Sequence, residues 1–233
     1  MSALFPREDP ETWRSAYASY WDAVEAKSNS KKPGKLLHLD KWYQEELPKL
    51  ISGRPDKHVT QSELVKLMEW KLTRGKFRQR LPQLGGFQQR VRRGERLSAS
   101  LPDVPAAIAE LCCLKGVGPA TASAVLAAGA PEQAAFMSDE ATESVPGLKP
   151  VQYTAKHYAL YLGKMVERTE KLNKVDPQQD WTPHRLELCL WAWTTAKQHQ
   201  PPTPEDVDVK ASSVKKCPDV KVDQRPTKKL KTR

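Results

Sequence analysis

Long apolar runs are missing from this chain. No stretch of about eighteen apolar residues occurs, which speaks against a membrane-spanning helix. The opening residues MSALFPREDP have neither a basic start nor an apolar centre, so no secretory signal is expected. Cysteine is scarce: the four stand at 112, 113, 189 and 217. Adjacent Cys112 and Cys113 are poor disulfide partners, which points to a reducing compartment. The spacing fits neither a zinc site nor the four-cysteine loop of an iron–sulfur cluster, so no metal and no cofactor is expected. Period-2 alternation and internal repeats are also lacking, which leaves an all-α chain. Its 233 residues suffice for a sizeable core.

What the chain does have is unevenly placed positive charge. The formal net charge is +10. Residues 71–96 hold nine Lys or Arg against one Glu, and residues 210–233 hold nine against two Asp, leaving −5 for the rest. Concentrated basic charge, one cluster of it inside the fold, suggests a polyanionic partner, nucleic acid first. In the first cluster Lys71, Arg74, Lys76, Arg78 and Arg80 alternate with Leu72 and Phe77, beside Trp70. Such a stretch is either a solvated face or a set of phosphate contacts. Arg90, Arg92, Arg93 and Arg96 continue it. The second cluster lies in a Pro-rich, polar tail from Gln200, expected to be disordered. There Lys228, Lys229 and Lys231 resemble a nuclear-import signal, so a nuclear location is expected.

Helix signals fill residues 1–199. Pro10 opens a helix whose stripe of Trp13, Tyr17, Tyr20, Trp21 and Val24 reads as core. A second amphipathic helix runs over 36–50, with Pro48 as a kink or stop. The clearest helix covers 60–74: Thr60 and Glu63 form a capping box, Val59 and Leu64 a hydrophobic staple, and Gly75 ends it. A further helix starts at Asp103 or Ser100 and carries Ile108, Leu111 and Leu114. Residues 151–172 form a long helix in which His157 is an ordinary surface or packed histidine. The last helix has Thr182 as N-cap, Pro183 at its first position and Trp181 stapled to Leu186. Trp191 and Trp193 read as core.

The rest is organised around residues 111–141, LCCLKGVGPATASAVLAAGAPEQAAFMSDEA. Gly116-Val117-Gly118 predicts a tight turn, where glycine takes positive φ at no steric cost. Pro119 suits the start of a new helix. Residues 120–128 are small and apolar, so that helix should be buried. Backbone N–H groups at such a helix start can hold a phosphate oxygen without a charged side chain.

Leu114-Lys115-Gly116-Val117-Gly118, with Ala122, resembles the hairpin of the helix-hairpin-helix (HhH-GPD) superfamily of DNA glycosylases. In that family the hairpin is followed about twenty residues later by a characteristic aspartate, and Asp139 falls at the matching distance. The match covers roughly residues 106–141. It departs from the pattern twice: the family's proline is Lys115, and the position of the lysine nucleophile in bifunctional members is Ala120. Alanine forms no Schiff base. The resemblance therefore implies a monofunctional glycosylase without lyase activity. It also implies an HhH-GPD-like fold of two helical subdomains around a cleft, the hairpin subdomain spanning about 60–145. Lys115, Gly116, Val117 and Gly118 would hold double-stranded DNA, and the protein would act as a monomer.

In this reading Asp139 is the catalytic residue. A carboxylate beside the anomeric carbon stabilises an oxocarbenium-like sugar or activates water, once the base is flipped from the stack. Asp139 equally suits a plain N-cap, as does Ser138. Three functions stay open: a monofunctional glycosylase in base excision repair, a DNA-binding scaffold without chemistry, and a helical protein-interaction domain.

Overall fold

The computed structural model describes residues 3–29, 34–75 and 103–199. Lys76, Arg78, Arg80 and the four arginines from Arg90 to Arg96 lie outside them, as do Lys228, Lys229 and Lys231. The described residues form ten α-helices.

Side-chain caps start most of them. Asp9 accepts from the N–H groups of Glu11 and Thr12 to begin α1 (Pro10–Ala18). The aromatic stripe does not continue on one helix. Ser19 donates its hydroxyl to the Ala16 carbonyl at 2.9 Å and separates α1 from α2 (Tyr20–Asn29). Trp13 and Tyr20 are buried as expected, but Trp21 is 36% exposed and lies off the core.

The expected helix over 36–50 is three pieces: α3 (Lys35–Lys41), a π-helical turn (Trp42–Glu46) and α4 (Leu47–Ser52). Pro48 explains the interruption. It has no N–H to continue the ladder, and Leu47 N–H reaches back to the Trp42 carbonyl. Helix α5 (Gln61–Arg74) carries the full capping box of Thr60 and Glu63. Asp103 caps α6 (Val104–Cys112). The hairpin turn leads to α7 (Pro119–Gly129), and α8 (Asp139–Ser144) is a single short helix capped by Ser138. Helix α9 (Ala155–Val175) begins four residues later than the sequence suggested, because the Thr154 hydroxyl caps it by accepting from His157 N–H. Helix α10 (Pro183–His199) starts with the Thr182 hydroxyl accepting from Arg185 N–H at 3.1 Å.

Two helices act as hubs. Helix α7 touches α4, α5, α6 and α9, and residues Ala120 to Ala128 are all buried. Its small side chains allow neighbours to approach closely. Helix α10 touches α1, α2, α8 and α9. One large core cluster runs through Trp13, Trp42, Trp70, Val125, Tyr161 and Leu190. A smaller one gathers Tyr20, Val24, Leu36 and Trp191. Tyr43 stacks on Trp70 with ring centroids 3.5 Å apart, and its hydroxyl donates to the Ala124 carbonyl at 2.8 Å. That bond ties the π turn to α7. The described residues make one compact unit.

Candidate functional site

The hairpin between α6 and α7 closes through backbone bonds, Leu114 N–H to Leu111 O and Val117 N–H to Leu114 O, both 3.1 Å. Gly116 takes φ +83°, a conformation that favours glycine. Gly118 differs from expectation. It is extended, with φ −106° and ψ 176°, and a Cβ there would meet nothing within 4 Å. The turn needs one glycine, and it is Gly116. Val117 is buried as the hairpin's anchor, while Lys115, Gly116 and Gly118 are exposed. No side chain caps α7, because its N-cap is Gly118.

Asp139 is brought to the same place from the opposite side. Four tethers fix the segment before it. Met137 N–H donates to the Ser123 hydroxyl of α7 at 3.0 Å. Tyr158 and Tyr161 of α9 donate their hydroxyls to the carbonyls of Ala135 and Phe136. Ser138 donates to the Glu187 carboxylate of α10 at 2.5 Å and accepts from Ala141 N–H. Ser138 is therefore the cap of α8, and Asp139 is the first helical residue rather than the N-cap. The capping role weighed for Asp139 is taken by its neighbour. Asp139 is half-buried and accepts a hydrogen bond from the Tyr153 hydroxyl.

The hairpin and Asp139 line one cavity of about 300 Å³, within the size range of small-ligand sites. Gly116, Gly118, Pro119, Asp139, Tyr153 and Lys71 contribute to it, with Met68, Phe136 and Met137 as apolar wall. Lys71 donates from Nζ to the Thr121 hydroxyl at 2.8 Å. Ala120, where bifunctional members of the resembled family carry their lysine, also faces this cavity.

Arg74 corrects the sequence reading. The sequence places it among the phosphate contacts, yet its side chain is fully buried. It pairs with both oxygens of Glu187, at 2.8 and 3.0 Å, and lies 3.7 Å from Asp40. Four aromatic rings surround it, with Trp191 nearest at 4.4 Å from the ring centroid. Burial works against the charge, but Glu187, Tyr20 and Asp40 outweigh it, so Arg74 holds its proton more tightly than a free guanidinium. Asp40 is raised by burial, opposed by Arg74 and by donation from Tyr20 and Trp70, both 2.6 Å away. Arg74 is structural because α10 covers it, and no local sequence pattern reports that.

Of the predicted site residues, the structure gathers Lys71, Arg74, Gly116, Gly118 and Asp139 at the cavity, Arg74 as a buried part of its wall. Sequence reasoning named Ser138 as one of two possible caps but missed Tyr153, Thr121 and Glu187. A signal for the last existed: Glu187 interrupts the apolar run LELCLWAW, and a lone carboxylate in such a run demands a buried partner. Tyr153 had no such signal, since only folding brings it to Asp139. Among the described residues no group of three or more His, Cys, Asp or Glu could hold a metal ion, and no helix is long and apolar enough to cross a membrane. Compared with family models, with curated proteins and with solved structures, the chain matches none.

Proposed function

We propose that this protein binds double-stranded DNA and, with Asp139 as the catalytic carboxylate, releases a base from it as a monofunctional glycosylase. One observation carries the reading: the hairpin, the uncapped start of α7 and Asp139 open on one cavity. The backbone N–H groups of the hairpin grip a phosphate. Lys71, Lys115 and the basic segment beyond Gly75 add charge on the neighbouring strand. A flipped base enters between Phe136 and Met68, which leaves its sugar beside Asp139. The carboxylate then stabilises the positive sugar as the N-glycosidic bond breaks. The basic tail, through Lys228, Lys229 and Lys231, directs the protein to the nucleus.

A second reading has its own support. Tyr153 already engages Asp139, which favours a scaffold that binds DNA without cutting the glycosidic bond. One experiment separates the two. The full chain is titrated with duplexes carrying a panel of modified bases, and both binding and abasic-site formation are measured. Binding should fall with salt, with a log–log slope near roughly −3.6 for about four neutralised phosphates. Base release from any duplex supports the enzyme. Binding without release from all of them supports the scaffold, and no binding at low salt removes both.

A further inference from the structure

Two buried polar groups lining the cavity are left unsatisfied. Glu140, the second residue of α8, is 1% exposed and lines the cavity. Its Oε1 is 3.3 Å from the ammonium of Lys27 on α2, and its Oε2 has no hydrogen-bond partner. Glu187 shows the contrast: both of its oxygens hold Arg74, and one also accepts from Ser138. Trp191 of α10 is fully buried, lines the same cavity, and leaves its indole N–H unpaired. Trp13, Trp70 and Trp181 are buried too, yet they donate theirs at 2.9, 2.6 and 2.7 Å. Lys27 stands between the two groups, with its nitrogen 5.0 Å from the centroid of the Trp191 ring. A buried donor or acceptor left unmet is costly, so two of them at one cavity call for a ligand that meets both. A carboxylate oxygen only accepts and an indole N–H only donates, so that ligand must offer a donor and an acceptor.

We propose that Glu140 and Trp191 read the edge of the base that enters this cavity, and that they select bases carrying an exocyclic amine. The inference rests on the reading of the cavity as the seat of a flipped base, but not on excision by Asp139. The amine donates to Oε2 of Glu140, and the ring nitrogen next to it accepts from Trp191 Nε1. Adenine and cytosine present this donor and acceptor side by side on one edge. In hypoxanthine and uracil a carbonyl stands in place of the amine. Their ring N–H lies beside a carbonyl oxygen, so presenting it to Glu140 also brings that oxygen toward the carboxylate, acceptor against acceptor. The amine projects beyond the ring and brings no oxygen with it. A site whose buried polar groups are built to meet an N–H rejects the analogue that lacks it, because those groups are then left unpaired. Phe136 and Met68 hold the faces of the ring and do not discriminate between the two kinds of base.

The test uses the full chain and short duplexes in which one base stands opposite a tetrahydrofuran residue, so that it is unpaired and easily extruded. That base is adenine or hypoxanthine in one pair of duplexes, and cytosine or uracil in a second pair. A further duplex with tetrahydrofuran in both strands gives the DNA affinity without a base. Binding is read by fluorescence anisotropy at low salt. The amino member of each pair should bind about tenfold tighter than its keto partner, the scale of one well-placed base-edge contact. Glu140→Gln should bring both ratios close to unity and leave the affinity for the base-free duplex unchanged. Trp191→Phe keeps a buried ring without the N–H, and should weaken the two amino duplexes toward the base-free one. Equal binding of amino and keto members by the wild-type protein, or tighter binding of the keto members, overturns the inference and leaves the DNA-binding reading intact. This wild-type comparison decides by itself if Glu140→Gln fails to fold. A preference kept by folded Glu140→Gln, or amino duplexes held at full strength by Trp191→Phe, also overturns it, since a merely structural role would lower stability and leave selectivity alone. Failure of the wild-type protein to bind any of the duplexes overturns the DNA-binding reading and this inference together.

Discussion

Lys71 and Arg74 stand three residues apart on α5 and end in opposite settings. Arg74 lines the same cavity as Lys71 but is buried in its wall among aromatic rings and paired with Glu187. Lys71 is half-buried at a cavity, hydrogen-bonded to a neutral hydroxyl. Inside, charge is matched by charge and holds helices together. At the cavity, Lys71 links α5 to α7 through the Thr121 hydroxyl on a partly exposed wall. The same contrast separates Glu187 from Asp139: the first links Arg74 to the cap of α8, and the second faces the cavity one residue beyond that cap. The interior network thus supports the place where the cavity carboxylate stands.

The largest effect should come from breaking the interior. Glu187→Ala strands the Arg74 guanidinium without its main partner and should cost about 3–5 kcal/mol, read by urea denaturation of the full chain. Lys71→Gln should cost less than about 1 kcal/mol in the same assay. Equal losses would mean that the two cations do not differ in role.

Next comes the chemistry at the cavity. Asp139→Asn keeps shape and removes charge. Base release, on any duplex that the wild-type protein processes, should drop roughly a hundredfold or more. DNA affinity should be unchanged or tighter, and the melting temperature should shift little. Full-rate release by this variant would remove Asp139 from the mechanism.

A pH prediction sharpens the interior side. His184 begins α10 one turn before Glu187 and bonds from Nε2 to Gln44 Oε1 at 2.8 Å. Burial, then the nearby charges of Arg74 and Arg185, push its pKa down to about 3. Unfolded, it takes a proton near roughly pH 6.5. The folded state is therefore favoured fully above that pH and loses stability as pH falls toward 3, by at most about 1.4 kcal/mol per unit. His184→Gln should flatten the stability profile between about pH 6 and 5, where ordinary carboxylates still hold their charge. An unchanged slope would place the titration elsewhere.

The smallest effects separate the two hairpin glycines. Gly116→Ala forces a Cβ into the left-handed region and should cost about 1–2 kcal/mol. Gly118→Ala should fall within about 0.5 kcal/mol, since the backbone is extended and the space is open. Thermal melts of both variants check this. A large loss at Gly118 would mean that its backbone, not that of Gly116, controls the turn.

The sequence by itself determined where most helices begin, because a cap acts over three or four residues. Thr60 with Glu63, Asp103, and Thr182 with Pro183 were all legible for that reason. It also determined that α7 would be buried, since only small apolar residues occupy 120–128. The hairpin and Asp139 were legible as a spaced pair. Only the tertiary structure decided which charges stay partly exposed and which are buried. Arg74, Glu187 and Asp40 are far apart in sequence, and their side chains meet only because folding brings those points of α3, α5 and α10 together. Tyr153 meeting Asp139 and Lys71 meeting Thr121 have the same origin. Burial is a property of what covers a residue, and in this chain the cover arrives from distant helices.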